Sequence, residues 1–387
     1  MAKKDSIHFP IVIVAPDSFK ESLTAAQAAR SIAGGIYKVF PGAKVIEIPL
    51  SDGGEGLLDC LIGGTEGRLI QHQVTGPLGN KVAAKFGILG DGRTGVIEMA
   101  EASGLTLVPR QQRNPMRATS FGTGELIRAA LDQGCRRLIV GIGGSATNDG
   151  GAGMAQALGV GLFDQAGQKI TWGAEGLLKL DSIDMASLDP RIFETEILVA
   201  SDVTNPLVGP TGAAYIYGPQ KGADEAMVPV LDQALQKLAA VIYRDLNIEV
   251  AQEKGAGAAG GMGAGLMAFA GGKLRSGLEL VLDMLAFEER VAEGVDLIIT
   301  GEGQINGQSL YGKVPVGVAR LAKKYDVPVF AMVGSIGSEA DKIYEAGIDS
   351  VMTIVPGPIP LAQAMDRASE FLEDATVRAM RLINLLS

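Results

Sequence analysis

Apolar runs and amphipathic segments alternate at the start of the chain. Residues 11–15 (IVIVA) are all apolar, which is typical of a strand that is buried on both faces of a sheet. In residues 24–39 the apolar positions recur at helical spacing, and Thr24 is suited to cap the helix N-terminus. Residues 44–50 predict a second strand. A polar loop at 52–55 then opens a short helix.

The C-terminal part of the chain repeats this alternation. It predicts strands at 296–300, 327–333 and 350–355, and helices at 314–325, 339–346 and 361–386. Such alternation predicts a parallel sheet with helices on both faces. The strands from both ends make five, the number in a flavodoxin-like sheet. We therefore expect one discontinuous flavodoxin-like domain, formed by residues 1–72 and 291–387.

The middle of the chain has a different pattern. Residues 74–88 and 94–98 predict short antiparallel strands joined by Gly-Pro and Asp-Gly turns. Further predicted elements are a helix at 124–133 and strands at 137–140 and 196–200. We expect residues 73–290 to form an inserted second α/β domain with glycine-rich loops, so the predicted fold class is α/β with two domains. A chain of 387 residues also exceeds one ordinary compact core.

Charge and composition exclude several kinds of partner. The chain carries 34 Lys and Arg against 44 Asp and Glu, a formal net charge of −10, which disfavours nucleic acid as a partner. No apolar run approaches the roughly 18 residues of a membrane span, so we expect no membrane partner. The N-terminal apolar run is interpreted as a strand rather than as a signal peptide. With only Cys60 and Cys135, we expect no disulfide framework and a reducing, cytoplasmic location.

Histidine is scarce and glycine is abundant. His8 and His72 are the only histidines, which argues against a histidine-based zinc site and a Ser-His-Asp triad. Acid–base chemistry must then come from Asp, Glu, Lys or Tyr. The 53 glycines are about twice the average usage and show no collagen-like period. They are therefore expected in tight turns and in loops whose backbone closely approaches a ligand.

The densest glycine segment, 141–153 (GIGGSATNDGGAG), follows a predicted strand and precedes a predicted helix. A glycine turn that feeds a helix N-terminus presents free backbone N–H groups to a phosphate. Asp149 can hold a cation or accept a proton. The alternative is an ordinary strand–helix turn capped by Asn148 or Asp149. The phosphate-binding candidates are Gly143, Gly144, Ser145, Thr147 and Asn148.

A second glycine-rich segment, 255–265, contains one G-x-G-x-x-G match, at Gly255, Gly257 and Gly260. The residues before it are charged and do not predict the strand that a dinucleotide fingerprint requires. We expect a flexible or nucleotide-facing loop, with Gly257 and Gly260 as nucleotide contacts. No G-x-x-x-x-G-K-[ST] occurs, so phosphoryl transfer here would not use a P-loop.

Polar residues follow the predicted strands of the first domain. Asp17 and Lys20 come after the first strand, where ligands bind in open α/β sheets. Asp17 can accept a proton and Lys20 can neutralise an anion; the alternative is a capped turn with a surface lysine. Asp52, Glu55 and Glu302 follow two further strands. Together they predict an acidic edge suited to Mg²⁺, although each carboxylate taken alone is better explained as a helix cap.

Other candidates lie after later strands or in glycine turns. Asp202 and Asn205 follow the strand at 196–200 and can contact a metal ion or a hydroxyl group. Lys221 lies in the rigid turn Gly218-Pro-Gln-Lys-Gly222, and Lys313 follows Gly312. Both lysines are candidate anion-binding residues.

These segments together resemble the type I glycerate kinase family. The matching strings are PDSFKESL (16–23), DGGEG (52–56), GIGGSATNDGGAGM (141–154), DVTNPL (202–207), GPQKGA (218–223), the glycine-rich 255–266, and TGEG (300–303) with GK (312–313). Their order and spacing run from residue 10 to beyond residue 355. The resemblance is therefore far more specific than any single glycine loop.

The resemblance implies an enzyme, a kinase that uses ATP and Mg²⁺ to phosphorylate D-glycerate. In the bacterial branch it implies 2-phosphoglycerate as product and a place in glyoxylate and sugar-acid breakdown. It also implies a cleft between a flavodoxin-like part and a second α/β domain. Gln304 and Asn306 stand where the family usually has Arg and Asp, and Asn306 cannot supply a negative charge. Ser51 and Ser201 stand where Ala and Cys are common, which we expect to matter little.

We therefore expect in-line transfer of the γ-phosphoryl group, in which positioning and charge neutralisation supply most of the catalysis. The expected catalytic residues are Asp17, Lys20 and Asp149, with the choice of base left open between the two aspartates. The expected metal ligands are Asp52, Asp202 and Glu302. The expected substrate contacts are Ser18, Asn205, Lys221 and Lys313.

Three alternatives remain open at this stage. The same site would give 3-phosphoglycerate if it used the other glycerate hydroxyl. An NAD(P)-linked oxidoreductase would use residues 255–260 as a cofactor loop, but no predicted strand precedes them. A non-enzymatic two-domain binding protein would bind glycerate without consuming ATP. The oligomeric state is left open, with a homodimer as one option.

Overall fold

The computed structural model describes residues 10–310 and 312–386. The segment 1–9, with His8, lies outside the described residues. The apolar run 11–15 forms a strand, as predicted, and its distinction from a signal peptide stays a prediction. None of the helices in the described ranges is long and apolar enough to cross a bilayer.

Strands and helices alternate along the chain. The strands are β1 Ile11–Pro16, β2 Lys44–Glu47, β3 Arg68–Thr75, β4 Lys81–Ile88, β5 Thr94–Glu98, β6 Arg137–Gly141, β7 Gly161–Asp164, β8 Leu180–Asp184, β9 Glu196–Ala200, β10 Lys273–Arg275, β11 Leu297–Ile305, β12 Val329–Ile336 and β13 Ser350–Thr353. The helices are α1 Ala25–Val39, α2 Leu57–Gly64, α3 Met99–Ser103, α4 Phe121–Asp132, α5 Ala152–Ala157, α6 Gly173–Leu177, α7 Ala213–Tyr217, α8 Met227–Leu246, α9 Ala258–Ala270, α10 Gly277–Met284, α11 Phe287–Ala292, α12 Val314–Ala322, α13 Leu361–Asp366 and α14 Ala368–Leu386.

The chain divides into two compact units. The first unit contains the residues up to Asp52 and those from Leu278 onward, and the second unit is 53–277. The sequence-based boundaries lie elsewhere, after residues 72 and 290. Helix α2 accounts for much of the first difference, because it packs on β4 and β5 of the second unit. A side chain at Gly87 of β4 would clash with Ile62 of α2, so the two elements are in close contact.

The first unit contains a parallel sheet in the order β2-β1-β11-β12-β13. Counted within this unit the order is 2-1-3-4-5, which is that of flavodoxin-like folds. Residues Val12 to Ala15 of the central strand β1 are fully buried, as its continuous apolar sequence predicts. The predicted α/β fold class is confirmed.

Helices α1 and α14 pack together in the first unit. Thr24 caps α1 in a capping box with Gln27, so the predicted helix start is confirmed. Gly35 of α1 allows close packing on α14, because a Cβ atom there would lie 2.6 Å from Cβ of Thr376.

The second unit contains a mixed sheet in the order β10-β9-β6-β5-β4-β3. The pairs β10–β9, β9–β6 and β6–β5 are parallel, whereas β4 pairs antiparallel with both β5 and β3. The predicted antiparallel strands are therefore confirmed. A separate antiparallel pair, β7 with β8, lies outside this sheet.

Two predicted helices differ from the structure. The helix expected at 339–346 is a single 3₁₀ turn, Ala340–Ile343, because Glu339 and Gly347 on either side have left-handed backbone conformations. The terminal helix expected at 361–386 is two helices, α13 and α14, because Arg367 between them leaves helical geometry.

Candidate functional site

Two neighbouring strands of the first unit bring a pair of carboxyl groups together. Strands β1 and β11 run in parallel register, with Pro16 opposite Gly301. The N–H of Asp17 donates to the carbonyl of Gly301 at 2.8 Å. Asp17 begins the loop after β1, as the sequence predicts. Glu302, expected after its strand, lies within β11, where it pairs with Val333 of β12, because β11 continues to Ile305.

Asp17 is a buried carboxyl group, 7% exposed. Burial raises its pKa to about 6, and the negative charge of Asp52 adds to the rise. The N–H of Ser18, 2.6 Å from Oδ1, and the charges of Lys313 and Lys20 act in the opposite direction. At neutral pH the group is therefore mostly ionised yet close to its pKa, which suits a proton acceptor.

Glu302 is equally buried, and its pKa rises further. Burial is the main cause that raises it to about 7; Asp17 and Asp52 contribute, whereas Ser309 and Lys313 oppose them. The hydroxyl of Ser309 donates to Oε1 at 2.7 Å. The same hydroxyl oxygen accepts the N–H of Asn306 at 3.2 Å.

Lys313 and Asp52 form an ion pair within the first unit. Lys313 Nζ donates to Asp52 Oδ2 at 2.6 Å. Burial opposes the charge of Lys313, but the hydrogen bond and the charges of Asp52, Asp17 and Glu302 outweigh burial and raise its pKa. A predicted metal ligand and a predicted substrate contact thus bind each other in the structure.

Lys20 and Ser18 follow Asp17 in the same loop. Lys20 is exposed, and its charge is near enough to lower the pKa of Asp17. Ser18 is half-buried and contributes its backbone N–H to Asp17. Glu55, expected beside these groups, is exposed and belongs to the second unit.

In the second unit, Asp149 caps the turn that leads into α5. Its Oδ2 accepts the N–H and the hydroxyl of Ser120, both at 2.8 Å, and the N–H of Gly153 at 3.3 Å. Its Oδ1 accepts the N–H of Gly151 at 3.2 Å. Burial nevertheless raises the pKa of this fully buried group. The cap alternative therefore describes Asp149 correctly.

The N-terminus of α5 does not offer the amides that the sequence predicts for phosphate. Asp149 binds the N–H groups of Gly151 and Gly153, and the hydroxyl of Ser120 accepts that of Met154 at 3.0 Å. The helix also has only six residues, so its aligned dipoles are few. The exposed part of segment 141–153 is the turn at Gly143 and Gly144.

Lys221 lies behind this turn rather than on the surface. Only 2% of it is exposed. Its Nζ donates to Ser145 Oγ at 2.8 Å and to the carbonyl of Thr147 at 2.6 Å. Burial lowers its pKa to about 7, although the charge of Asp149 opposes the shift. The structure places Lys221 where it holds the loop, not where the sequence predicts a direct substrate contact.

Thr147 and Asn148 are fully buried. Within the described ranges, neither Thr147 Oγ1 nor either amide atom of Asn148 has a hydrogen-bond partner. Leaving such groups unpaired costs stability, so they are the kind of group that a ligand or a bound water satisfies.

The two glycine-rich segments pack against each other. A Cβ atom at Gly260 would lie 2.0 Å from the carbonyl oxygen of Thr147, and the N–H of Gly150 donates to the carbonyl of Gly260 at 3.0 Å. A Cβ atom at Gly257 would lie 2.1 Å from the carbonyl oxygen of Pro206. Both predicted nucleotide contacts are thus buried packing positions.

Asn205 and Asp202 follow β9. The amide nitrogen of Asn205 donates to the carbonyl of Thr211 at 2.8 Å, and its Oδ1 accepts the hydroxyl of Tyr217 at 2.7 Å. Asn205 therefore holds its own loop. Asp202 is exposed.

No set of three or more His, Cys, Asp or Glu side chains is arranged to hold a metal ion in the part of the chain that the structure describes. Magnesium commonly uses only one or two carboxylates and takes its other ligands from water and phosphates. The negative charge of Asp52 helps to raise the pKa of Glu302, so these two carboxyl groups lie near each other in the first unit, which is compatible with that smaller ligand set.

Sequence analysis misses three polar residues of these sites. Ser309 binds Glu302, Ser120 binds Asp149, and Glu98 accepts the N–H of Leu58 at 2.7 Å. Burial raises the pKa of Glu98 to about 6. Glu98 ends a strand and Ser120 precedes a helix, so these positions weakly indicated a possible role in a site. Nothing in the sequence around Ser309 indicated one.

Comparisons with known proteins agree over almost the whole chain. The model of the glycerate kinase family matches residues 12–384. A glycerate kinase from Bacillus subtilis (strain 168) is 51% identical over 362 residues, 94% of each chain. A glycerate 2-kinase from Escherichia coli (strain K12) is 50% identical over 372 residues, 96% of each chain. A solved structure described as a glycerate kinase 2 from Salmonella typhimurium LT2 has a TM-score of 0.89 and 47% identity, covering 98% of this chain and 99% of that chain.

Proposed function

The chain belongs to the glycerate kinase family and is an enzyme, and we propose that it transfers the γ-phosphoryl group of ATP to D-glycerate in the presence of Mg²⁺, giving 2-phosphoglycerate. The similarity to a glycerate 2-kinase over nearly the full length of both proteins carries this proposal. The choice of hydroxyl rests on that relative's name.

We assign the proton acceptor to Asp17 rather than Asp149. The carboxylate of Asp149 already accepts its hydrogen bonds from Ser120, Gly151 and Gly153. Asp17, in contrast, has a pKa of about 6 and one short hydrogen bond, from its neighbour Ser18. It would accept the proton of the glycerate hydroxyl as that oxygen attacks phosphorus.

Two lysines of the first unit would bind the negatively charged groups of the substrates. Lys20 is exposed beside Asp17 and would pair with the glycerate carboxylate or the moving phosphoryl group, together with the Ser18 loop. Lys313 is the next choice, because it is bound to Asp52. Asp52 and Glu302 would hold Mg²⁺, which neutralises phosphate charge when bound. Asp202, the third predicted ligand, belongs to the second unit.

In the second unit, the exposed turn at Gly143 and Gly144 would approach the phosphates of ATP. Glycine permits this close approach, since Gly144 has a φ of +70°. Ser145 would add a hydroxyl donor. Gly257 and Gly260 would act indirectly, through the backbone that they support.

We further propose that the enzyme works in the cytoplasm, in glyoxylate and sugar-acid breakdown. Two buried, free cysteines are in keeping with a reducing compartment. The oligomeric state, including a homodimer, is open to measurement of the native mass.

Release of ADP in a coupled assay, with and without D-glycerate, tests the activity, and phosphorus NMR of the product identifies the hydroxyl. We expect glycerate-dependent ADP release and 2-phosphoglycerate. A 3-phosphoglycerate signal would correct the hydroxyl assignment. Glycerate binding without ADP release would favour a binding protein instead, and a nicotinamide absorbance change would favour an oxidoreductase.

The base assignment predicts a pH dependence. Because Asp17 must be ionised to accept a proton, kcat/KM for glycerate should fall as pH decreases through about 6. Asp17→Asn should reduce kcat at least about a hundredfold, whereas Ser18→Ala, which keeps the backbone N–H, should have little effect on the profile. Near-normal turnover of Asp17→Asn would remove Asp17 from the role of base.

A further inference from the structure

Lys221 is held inside the second unit by its turn. It ends the short 3₁₀ turn Pro219–Lys221, and Gly222, with a φ of +97°, packs on the backbone of Arg113. Its ammonium group has hydrogen bonds to uncharged oxygens, those of Ser145 and Thr147. Burying a lysine whose direct acceptors are neutral is costly, and the charge of Asp149 offsets only part of that cost, since the pKa of Lys221 is still lowered. Packing alone therefore does not explain why a lysine with these two hydrogen bonds occupies this position.

The direction of the bond to Ser145 follows from the protonated form of Lys221, which the negative charge of Asp149 favours. An ammonium group can only donate, so Ser145 Oγ must be the acceptor, and the hydroxyl proton of Ser145 must point elsewhere. Among residues 10–310 and 312–386, no protein acceptor for that proton is found. Ser145 is 7% exposed and adjoins the exposed turn at Gly143 and Gly144. Its proton is therefore free to bind a ligand oxygen.

We propose that Lys221 is a positioning residue that fixes Ser145 as a hydrogen-bond donor to a phosphate oxygen of the bound nucleotide. The inference rests on the proposed function, since it requires the nucleotide phosphates at this turn. A chain from ammonium to hydroxyl to phosphate is stronger than an isolated hydroxyl bond, because each hydrogen bond polarises the next. The bond from Lys221 to the carbonyl of Thr147 holds the following residues of the loop in place.

A double-mutant cycle tests this coupling. Ser145→Ala and Lys221→Met should each lower kcat/KM for ATP about tenfold, with little change in KM for glycerate. Ser145→Ala removes the donor, and Lys221→Met leaves it unpositioned, so both changes act on the same hydrogen bond. The double variant should therefore be only about twofold worse than either single variant. Ser145→Thr, which keeps the hydroxyl group, should recover most of the activity. A lysine that only stabilised the loop would instead give losses that multiply.

Titration calorimetry with Mg·ATP on the same variants gives a second readout that does not depend on turnover. The ATP affinities should follow the same pattern as kcat/KM. Leu131→Ala, which removes a buried side chain near the C-terminal end of α4, controls for general destabilisation and should leave ATP affinity unchanged.

Several outcomes would overturn the inference. One is wild-type ATP affinity in Ser145→Ala, and this result decides the matter even if Lys221→Met does not fold. Multiplicative losses in the double variant are another. If the wild-type protein binds Mg·ATP with the expected pattern but does not phosphorylate glycerate, the proposed function fails while the inference about Lys221 stands.

Discussion

At the scale of single residues, the carboxyl groups of the first unit show how burial sets charge. Asp17 and Glu302 have raised pKa values because water is excluded and a third carboxylate lies near. The ion pair between Asp52 and Lys313 offsets only part of this charge. At neutral pH the cluster therefore carries excess negative charge, which a bound cation would relieve.

Glu302→Gln should stabilise the protein in a pH-dependent way. The folded pKa of about 7 lies above the ordinary 4.5, so the folded state binds the proton more tightly than the unfolded state does. Stability is consequently lost as pH rises from about 4.5 to 7. The neutral amide avoids this loss and still accepts from Ser309. Urea unfolding should show a gain on the order of 2 kcal/mol at pH 8 and little change near pH 4.5.

Glu288→Gln is the matched control for that experiment. Glu288 belongs to the same unit and its side chain is 44% exposed, and its hydrogen bonds to Lys324 and Tyr325 lower its pKa. It should give no stabilisation at either pH. An equal gain for Glu302→Gln at both pH values would show that burial of charge is not the cause.

At the scale of elements, the glycines of segments 141–153 and 255–265 chiefly allow these two segments to pack closely against each other. Gly260 lies against the carbonyl of Thr147, and Gly265 lies against the backbone of Gly150 and Gly151. The start of α9 adopts left-handed conformations at Ala259, Gly260 and Gly261, which lets it fit against the loop. The loop that contains Thr147 is therefore held by Lys221 and by the packing of α9.

Gly260→Ala should destabilise the second unit strongly. The added Cβ atom would lie 2.0 Å from a backbone oxygen, in a residue with a φ of +73°. Gly271→Ala is the matched control, because Gly271 also has a positive φ, +62°, but nothing lies within 4 Å. In thermal or urea unfolding, Gly260→Ala should lose about 2 kcal/mol or more beyond the loss of the control. Equal losses would mean that the contact can relax.

The sequence predicts the elements better than it predicts their contacts. Apolar runs such as 11–15 and the cap Thr24 act locally, so strands and helices could be inferred from neighbouring residues. The role of Gly260 depends on a loop more than a hundred residues away, which no local pattern reports. For the same reason, Asp17 after β1 could be identified from the sequence, but the pairing of Lys313 with Asp52 and the continuation of β11 past Glu302 could not.

At the scale of the whole molecule, the second unit is one continuous stretch of chain, 53–277, with its own core. We expect this fragment, expressed alone, to unfold in one cooperative thermal transition followed by circular dichroism. A fragment with the sequence-based boundaries, 73–290, lacks α2 and most of β3, which would leave β4 uncovered. It should melt at a lower temperature, and an equal or higher melting temperature would argue against the observed boundary.

The discontinuity of the first unit has a consequence for synthesis on the ribosome. The central strand β1 hydrogen-bonds with β11 through Thr300 and Ala15, which are 285 positions apart. During synthesis, the apolar segment IVIVA therefore stays unpaired with β11 until the whole of 53–277 has emerged from the ribosome and collapsed. Pairing between strands so far apart in sequence is slow, and partly folded intermediates meanwhile expose hydrophobic surface that promotes aggregation. The newborn polypeptide should consequently depend on holding chaperones chiefly through its first fifty residues, and the first unit should complete its folding after the second unit has folded.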